Sequence, residues 1–332
     1  MTRLAKLLRR RARDTRIGWL IRRFWHMPSY VWRGYDSDLP WPRVTETIFN
    51  KHEPDKNSLL TFFDTRQDGK GIWKWKHYFP VYENHFHKFR GKEVNILEIG
   101  IYSGGSLEMW REYFGPKAHL YGVDIEPACR VYEADNVNVF IGDQGDRAFW
   151  RKFRQTVPGL DVVIDDGGHD PEQQVVTFEE LLPIIRPGGV YVCEDLMGPF
   201  NRFACYVHGL GHKLNDKSLL MQFPDDNERR LVCGCTPFQS SIGSIHLYPF
   251  VTVVEVNFTK VMEFRAPKHG TQWQPHYDKF SLPEGCVRTK PASRRSARDS
   301  SASGRIARVV LAVKPLELIP HFQEWVRRNT VK

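Results

Sequence analysis

Short apolar runs alternate with helical stretches along the middle of the chain, from about residue 94 onward. The apolar runs predict five strands: Val94–Ile99, Leu120–Asp124, Val137–Ile141, Asp161–Ile164 and Gly189–Cys193. The stretches between them predict three helices, near Ser106–Tyr113, Asp146–Gln155 and Glu172–Ile185. Strands that alternate with helices are typical of a parallel sheet built from right-handed crossovers. The pattern therefore predicts an α/β protein with a doubly wound, mostly parallel sheet.

The pattern changes after residue 240. Two β-rich runs, Ser244–Tyr248 and Val251–Val256, are separated by only a few residues. A connection that short favours an antiparallel hairpin. A parallel sheet that is closed by such a hairpin differs from the plain doubly wound fold that binds dinucleotides.

Composition and pattern divide the chain into four parts: a basic amphipathic arm (1–34), a helical cap (35–93), the alternating domain (94–275) and a C-terminal extension (276–332). The cap is rich in aromatic residues, and helical stretches are predicted around Trp41–His52 and His77–Phe89. The extension contains a Ser/Arg-rich linker, Pro291–Arg305, followed by a predicted strand and a predicted terminal helix, Pro315–Arg328.

The positive charge lies in the arm. Residues 1–34 carry ten Lys or Arg and a single acid, Asp14, which accounts for the whole net charge of +9. Ile17, Leu20, Ile21 and Phe24 have helical spacing, so the arm is predicted to form a basic amphipathic helix. Such a helix fits the surface of an anionic membrane. A helix that docks on its own domain or on a sister subunit explains the pattern equally well.

The sequence has no apolar run of the ~20 residues needed to span a bilayer. The N-terminus shows no apolar stretch followed by a small-residue cleavage site, so a secretory signal is not expected. The six cysteines lack paired metal-binding spacing and are expected to be reduced thiols. These observations favour a cytoplasmic protein, either free or peripheral at the inner face of the membrane.

The first predicted strand runs into the glycine-rich segment GIYSGGS, residues 100–106. Glycines let the backbone turn tightly beside a ligand, and the N-terminus of the following helix offers free N–H groups to an anion. A dinucleotide fingerprint requires GxGxxG. The spacing here is GxxxGG, with Glu98 two residues before Gly100, and it favours a different cofactor.

Acidic residues end the next strands. Asp124 ends the second strand, where a carboxylate accepts hydrogen bonds from ribose hydroxyls. Asp143 and Gln144 follow the third strand, and Asp143 is placed to accept from an adenine amino group. Glycines and acids at successive strand ends together predict a nucleotide-cofactor site.

Two further acidic clusters follow the fourth and fifth strands. Asp165, Asp166 and His169 come after one, and Glu194 and Asp195 come after the other. Because ligands bind at the carboxyl ends of parallel strands, these groups are expected to meet. They predict a divalent-metal site with a proton acceptor beside it. Asp165 has the alternative role of capping the turn that follows it.

At this point the chain resembles class I S-adenosylmethionine-dependent methyltransferases, which have a Rossmann-like sheet closed by an antiparallel hairpin. The resembling segments are LEIGIYSGGS (97–106), GVDI (122–125) and GD (142–143). VIDDGGH (163–169) with RPGGVYVCEDL (186–196) is similar to the metal-dependent macrolide and rhamnosyl sugar O-methyltransferases, as are IGSIHLYPFVTVVEV (242–256) and HGTQW (269–273). The likeness covers about residues 60–275.

The resemblance implies S-adenosylmethionine as cofactor and residues 94–275 as the catalytic domain. The residues it places at the cofactor are Glu98, Gly100, Ser103, Gly104, Ser106, Asp124, Asp143, Gln144 and Asp165. It also implies a Mg²⁺ ion held by Asp166, Glu194 and Asp195, and His169 as the general base. Oxygen ligands suit Mg²⁺, and an imidazole titrates near neutrality. Gly168 departs from the small polar residue that many family members carry there.

The implied reaction is O-methylation of a hydroxyl of a sugar, a glycosylated natural product or a glycan. The expected partner is a small-molecule glycoside or saccharide, with no specific nucleic acid, and a homo-oligomer is allowed. His77, Tyr78 and Tyr82 lie in a region that closes over the cofactor in such enzymes, so they are candidates for contact with cofactor or acceptor. Core packing explains the three residues as well.

Two alternatives stay open. One is a metal-independent methyltransferase that acts on another small-molecule acceptor, with His169 working alone. The other is a membrane-docked, non-catalytic scaffold that retains the cofactor fold, which the basic arm motivates.

Overall fold

A computed structural model describes residues 27–36, 58–215, 221–222 and 231–266. The predictions that concern the amphipathic arm before residue 27, the helical stretch Trp41–His52 and the C-terminal extension lie outside the described residues.

A seven-stranded sheet has the order β3-β2-β1-β4-β5-β9-β8. Its first five strands are β1 (Asn95–Ile99), β2 (His119–Asp124), β3 (Val137–Ile141), β4 (Leu160–Asp165) and β5 (Ile185–Cys193). All neighbouring pairs among these five strands are parallel. The five strands confirm the predicted parallel sheet.

The hairpin closes one side of the sheet. It is formed by β8 (Ile242–Tyr248) and β9 (Val251–Val256). Strand β9 pairs antiparallel with β5, with Tyr191 opposite Val254, and β8 pairs antiparallel with β9. The predicted doubly wound sheet with a terminal antiparallel hairpin is therefore confirmed.

Helices cover both faces of the sheet. The helices before β5 are α1 (Met27–Tyr35), α2 (Ser58–Thr65), α3 (Tyr78–Phe86), α4 (Gly105–Phe114), α5 (Arg147–Thr156) and α6 (Pro171–Leu181). After β5 come α7 (Arg202–Leu214) and α8 (Pro237–Ser241). Short 3₁₀ helices span His87–Phe89, Pro127–Tyr132 and Leu182–Ile184. The predicted helix Glu172–Ile185 ends earlier, at Leu181, because Pro183 lacks an N–H to continue it.

Strand alternation gives each face of the sheet its own core. Ile96 packs with the cap helices α2 and α3 and with α4, where Trp110 is fully buried. The next residue, Leu97, faces the other way and packs with α5, α6 and α7 around the fully buried Trp150. The described part of the cap, residues 58–93, therefore packs on one face of the sheet and is continuous with its core.

A second, three-stranded sheet follows β5 in the chain. It has the order β10-β7-β6 and consists of β6 (Met221–Gln222), β7 (Leu231–Gly234) and β10 (Glu263–Ala266). Both of its pairings are antiparallel. Neither this sheet nor α7 is predicted by the sequence pattern.

Among the described residues, none of the helices is long and apolar enough to cross a membrane.

Candidate active site

The carboxyl ends of the parallel strands border a cavity of about 620 Å³. That volume lies within the usual range for small-molecule sites. Ten of the predicted site residues line the cavity: Gly100, Ser103, Ser106, Asp124, Asp143, Gln144, Asp166, His169, Glu194 and Asp195. Glu98, Gly104 and Asp165 do not form part of its wall. The structure therefore brings the predicted cofactor edge and the predicted metal cluster into one cavity.

The turn after β1 requires glycine at its first position. Gly100 has a φ of +82°, and its N–H donates to the carbonyl of Val123 at 2.8 Å. A Cβ at this position would overlap the carbonyl oxygen of Asp166 and lie 2.8 Å from the carbonyl carbon. This close approach places the cofactor edge directly against the loop after β4.

The same turn leads into the N-terminus of α4. Gly104 is the N-cap of α4, with a φ of +72°, and a Cβ there would lie 2.7 Å from the ring of Tyr132. Ser106 Oγ donates to Glu98 Oε2 at 2.7 Å. Burial raises the pKa of Glu98, which is almost fully enclosed. Glu98 does not line the cavity, but its hydrogen bond orients the hydroxyl of Ser106, which does.

Asp124 and Asp143 line the cavity at neighbouring strand ends, and backbone amides orient both carboxylates. Asp124 accepts from the N–H groups of Tyr102 at 3.0 Å and Glu126 at 2.9 Å. Asp143 Oδ1 accepts from the N–H of Gly145 at 2.7 Å. Such fixed acceptors are suited to hydroxyl and amino donors of a nucleoside. The specific ribose and adenine contacts stay predictions.

Gln144 and Asp165 connect the loops after β3 and β4. Gln144 Nε2 donates to Asp165 Oδ1 at 3.0 Å, and Gln144 Oε1 accepts from the N–H of Gly168 at 2.7 Å. Tyr191 donates to Asp165 Oδ2 at 2.8 Å. Burial raises the pKa of Asp165 to about 6. Both oxygens of Asp165 are thus used inside the protein, which favours an orienting role over direct cofactor contact.

Three ligand atoms converge at one side of the cavity. His169 Nε2 lies 3.6 Å from Asp195 Oδ2 and 3.9 Å from Asp166 Oδ1. All three groups offer ligand atoms within 4.8 Å of one another. His169 and Asp195 have φ values of +54° and +57°, a backbone region that costs a non-glycine residue about 1–3 kcal/mol. Strain at two adjacent groups of a cavity is typical of a functional site.

Glu194 lies next to this group but faces the interior. It is fully buried, and Tyr82 donates to its Oε1 at 2.7 Å. Lys74 Nζ donates to its Oε2 at 3.0 Å. Burial raises the pKa of Glu194 to about 8, against the opposing effect of the Lys74 charge. Both oxygens of this predicted metal ligand are therefore engaged by side chains of the cap.

Lys74 is the cation at the centre of the acidic cluster. Its Nζ also donates to Asp166 Oδ2 at 2.6 Å and lies 3.6 Å from Glu98 Oε1. Burial alone would lower the pKa of Lys74, but the charges of the three carboxylates raise it well above its usual value. Lys74 is therefore held as an ammonium ion, with its side chain only 3% exposed.

The segment around Lys74 is fastened to the strand ends by further hydrogen bonds. Trp75 Nε1 donates to Asp195 Oδ1 at 3.1 Å, and Tyr78 donates to the same oxygen at 2.6 Å. His77 Nε2 lies 3.1 Å from the carbonyl oxygen of Pro249. Of the three predicted cap contacts, Tyr78 lines the cavity, while His77 and Tyr82 support it from outside its wall.

Large apolar side chains surround the mouth of the cavity. Trp73 and Tyr102 line it and are 89% and 73% exposed. Met197, in the loop after β5, also lines the cavity, and the nearby Phe200 stacks on Trp32 of α1 with ring centroids 5.9 Å apart. Exposed aromatic groups at a cavity mouth are typical of a surface that binds a partly apolar ligand.

Lys74, Trp73 and Trp75 are site residues that the sequence pattern does not reveal. A lysine between two tryptophans has the appearance of a surface residue. The one feature of the sequence that points to Lys74 is electrostatic: several acids predicted at buried strand ends require a cation to compensate their charge.

Comparison with known proteins gives a family match over the core of this site. Residues 97–196 match a family model described as a methyltransferase domain. The matched span runs from β1 through the acidic pair after β5.

Two curated relatives are sugar O-methyltransferases of Streptomyces olivaceus. The 8-demethyl-8-(2-methoxy-alpha-L-rhamnosyl)-tetracenomycin-C 3'-O-methyltransferase is 40% identical over 136 residues, which are 39% of this chain and 34% of that protein. The 8-demethyl-8-alpha-L-rhamnosyl tetracenomycin-C 2'-O-methyltransferase is 32% identical over 202 residues, which are 56% of this chain and 52% of that protein. The match thus spans between a third and about half of the length of these relatives.

A solved structure is also similar. The MycE methyltransferase from the mycinamycin biosynthetic pathway, in complex with Mg and SAH, is 27% identical with a TM-score of 0.48, and the match covers 62% of this chain and 55% of that one. Residues 97–196 therefore match a methyltransferase-domain family, and the chain is similar over part of its length to sugar O-methyltransferases.

Proposed function

We propose that this protein is an S-adenosylmethionine-dependent O-methyltransferase that acts on a hydroxyl of a sugar or a glycosylated natural product. The observation that carries the proposal is that one cavity brings fixed hydrogen-bond acceptors for a nucleoside beside a His–Asp–Asp group. The relatives named above are sugar O-methyltransferases, which supports the acceptor class. A fold-level likeness alone would not support it.

The donor atoms beside His169 suit a Mg²⁺ ion. Asp166 Oδ1 and Asp195 Oδ2 are hard carboxylate oxygens that face the same side of the cavity. Glu194 belongs to the expected ligand set, although Tyr82 and Lys74 engage its oxygens. A bound Mg²⁺ would lower the pKa of an acceptor hydroxyl.

His169 is placed to receive the proton of that hydroxyl. Its ring is exposed to the cavity, and its Nε2 faces two carboxylates that stabilise the imidazolium once the proton has arrived. The fixed carboxylates of Asp124 and Asp143 would hold the nucleoside part of the cofactor, so that oxygen, methyl carbon and sulfur lie in line. Methyl transfer to the oxygen then gives the methyl ether and S-adenosylhomocysteine.

The cavity mouth supports an acceptor with an apolar body. Trp73 and Tyr102 expose most of their rings beside the polar cluster. Aromatic faces pack against the C–H groups of a sugar or of an aglycone. A small-molecule glycoside combines such a surface with the vicinal hydroxyls that a Mg²⁺ ion can orient.

The first test is calorimetric titration of S-adenosylmethionine into the full-length protein, with Mg²⁺ and with EDTA, followed by turnover assays on rhamnosides. Saturable cofactor binding and Mg²⁺-dependent methyl transfer are expected. Gly100→Arg should abolish binding because it fills the turn at the cofactor edge. Gly209→Arg is the matched control, since a Cβ at this exposed helical position meets nothing within 4 Å. Absence of cofactor binding to the folded wild-type protein would exclude the proposal.

A metal-independent reaction with His169 acting alone is the second candidate. The observation that favours it is Lys74, which already places a positive charge between Asp166 and Glu194. Methyl transfer that continues at an unchanged rate in EDTA would select this candidate.

We further propose that residues 1–34 contact an anionic membrane surface from the cytoplasmic side. The support is the concentration of ten basic residues there, together with the exposed aromatic side chains of α1. Flotation with anionic liposomes, with and without residues 1–34, tests this contact. Equal flotation of the full-length protein and of the form without residues 1–34 would argue against this contact. Analytical ultracentrifugation of the two forms tests whether the arm instead supports a homo-oligomer.

A further inference from the structure

Lys74 and the proposed metal ion draw on the same carboxylates. The ammonium of Lys74 lies 2.6 Å from Asp166 Oδ2, 3.0 Å from Glu194 Oε2 and 3.6 Å from Glu98 Oε1. Its side chain is almost completely enclosed. This lysine comes from the cap segment before α3, whereas the acids come from the ends of β1, β4 and β5.

The oxygens of the acidic cluster divide into two groups. The first group faces the cap: Asp166 Oδ2 and Glu194 Oε2 accept from Lys74, and Glu194 Oε1 accepts from Tyr82. Asp195 Oδ1 belongs to it as well, because Tyr78 donates to it. The second group faces His169 and consists of Asp166 Oδ1 and Asp195 Oδ2.

We propose that Lys74 is a tethered counter-cation of the metal centre, which engages Glu194 and one oxygen of Asp166 and leaves Asp166 Oδ1 and Asp195 Oδ2 to the divalent ion. The inference rests on the metal centre of the proposed function. Glu194 is then a positioning residue for Lys74 and the cap, and it is not a metal ligand. A divalent ion binds more weakly here than at three free carboxylates, because it shares Asp166 with an ammonium of the same sign.

The arrangement also connects the cap to the centre. The segment that carries Lys74 forms part of the cavity wall through Ile72, Trp73 and Trp75. Arg66 and Lys70, which precede it, bind Glu108 of α4. Lys74 can therefore neutralise the buried acids only when this segment of the cavity wall is in place. The net charge of the acidic cluster thus depends on the position of the wall.

The test is the affinity of the full-length protein for Mn²⁺, measured by electron paramagnetic resonance, with Mg²⁺ as the competing ion. Lys74→Met keeps the length of the side chain and removes its charge. Loss of a like charge from the centre should tighten Mn²⁺ binding about tenfold or more, which is about 1.4 kcal/mol. Lys76→Met is the matched control and should leave the affinity unchanged, since Lys76 is 68% exposed and pairs with Asp64.

Thermal unfolding supplies a second readout. Without metal, Lys74→Met leaves the buried carboxylates uncompensated, so its Tm should fall below that of the wild type. Mg²⁺ should raise the Tm of Lys74→Met by more than it raises that of the wild type, because the ion replaces the missing charge. Equal Mg²⁺-induced shifts in the two proteins would overturn the inference.

A second variant covers the case in which Lys74→Met does not fold. Glu194→Gln keeps an acceptor for Lys74, and its Mn²⁺ affinity should stay within about fivefold of the wild-type value, or 1 kcal/mol. A much larger loss would make Glu194 a metal ligand and would overturn the inference. Equal or weaker Mn²⁺ binding by folded Lys74→Met would also overturn it. If wild type and both variants bind no Mn²⁺ while cofactor binding is intact, the metal centre itself is refuted and this inference with it.

Discussion

The substitution Gly100→Ala tests the contact that joins the cofactor edge to the acidic cluster. Gly100 has a φ of +82°, and a Cβ there would overlap the carbonyl oxygen of Asp166. The backbone of Asp166 has little freedom to retreat, because its N–H donates to the carbonyl of Ile99 at 3.1 Å. The added methyl group must therefore shift the loop that carries Asp166 and His169.

The magnitude has two parts. A non-glycine residue in the left-handed region costs about 1–3 kcal/mol. Forcing an extra carbon into a packed contact typically costs another 1–3 kcal/mol or so. We expect Gly100→Ala to lower the free energy of unfolding by about 2–5 kcal/mol and to weaken S-adenosylmethionine binding as well.

Urea unfolding and calorimetric titration measure the two effects. Gly209→Ala is the control, because a Cβ at this helical position meets nothing within 4 Å and alanine favours a helix by about 0.5–1 kcal/mol over glycine. The two Gly→Ala changes should therefore have opposite signs. A Gly100→Ala protein within about 0.5 kcal/mol of the wild type would refute the account of this turn.

Three further substitutions test other parts of the site and its surroundings. His169→Ala should lower kcat by about 10²–10⁴-fold while calorimetric titration shows unchanged cofactor affinity, and an unchanged kcat would exclude it as the base. Tyr82→Phe should cost about 1–3 kcal/mol of stability in urea unfolding, because it removes a hydrogen bond from the buried Glu194, and a neutral result would contradict that role. Burial acts to raise the pKa of Glu255, but the hydrogen bond from His85 and nearby positive charge lower it to about 2. A lowered pKa means that ionised Glu255 stabilises the fold above about pH 4.5 and that this contribution disappears as the pH falls towards 2. The stability difference between wild type and Glu255→Gln should be constant at neutral pH and should shrink over that acidic range, whereas a pH-independent difference would contradict the shift.

The central strands were predictable because each is buried on both faces. Residues of β4 such as Val162, Val163 and Ile164 are fully buried whichever way they point, so the apolar run is continuous. The start of β5 was missed. Ile185 already pairs with Leu160, but the sequence that follows it, Arg186-Pro-Gly-Gly, has the composition of a turn. A register shift between Leu160 and Val162 lets the strand continue through it.

Helix α7 was missed for a different reason. Gly209 and Gly211 lie inside it, and glycine lowers helix propensity. The apolar periodicity was nevertheless present, since Phe203, Val207 and Leu210 follow one another at spacings of four and three residues and are buried. Tertiary burial of this stripe outweighs the two glycines.

The candidate site was predictable at the level of which acids meet, because strand order decides which loops share an edge. Asp166, Glu194 and Asp195 meet as expected. How their oxygens are divided depends on Lys74, which precedes the sheet and has no periodic relation to any strand. Only the electrostatic requirement connects them: an excess of acids at buried strand ends requires a cation, and the nearest sources in the chain are the lysines of the cap.

The division of oxygens has a consequence for how the site is maintained. Asp195 is held in a left-handed conformation while Tyr78 and Trp75 donate to one of its oxygens. The strained backbone of Asp195 persists because the cap supplies these hydrogen bonds. The cap thereby stabilises the conformation in which Asp195 Oδ2 faces His169. A cap that loosened would release Lys74, Asp195 and the cavity wall together. The acidic cluster and the cap are therefore one structural unit, although they are separate in the sequence.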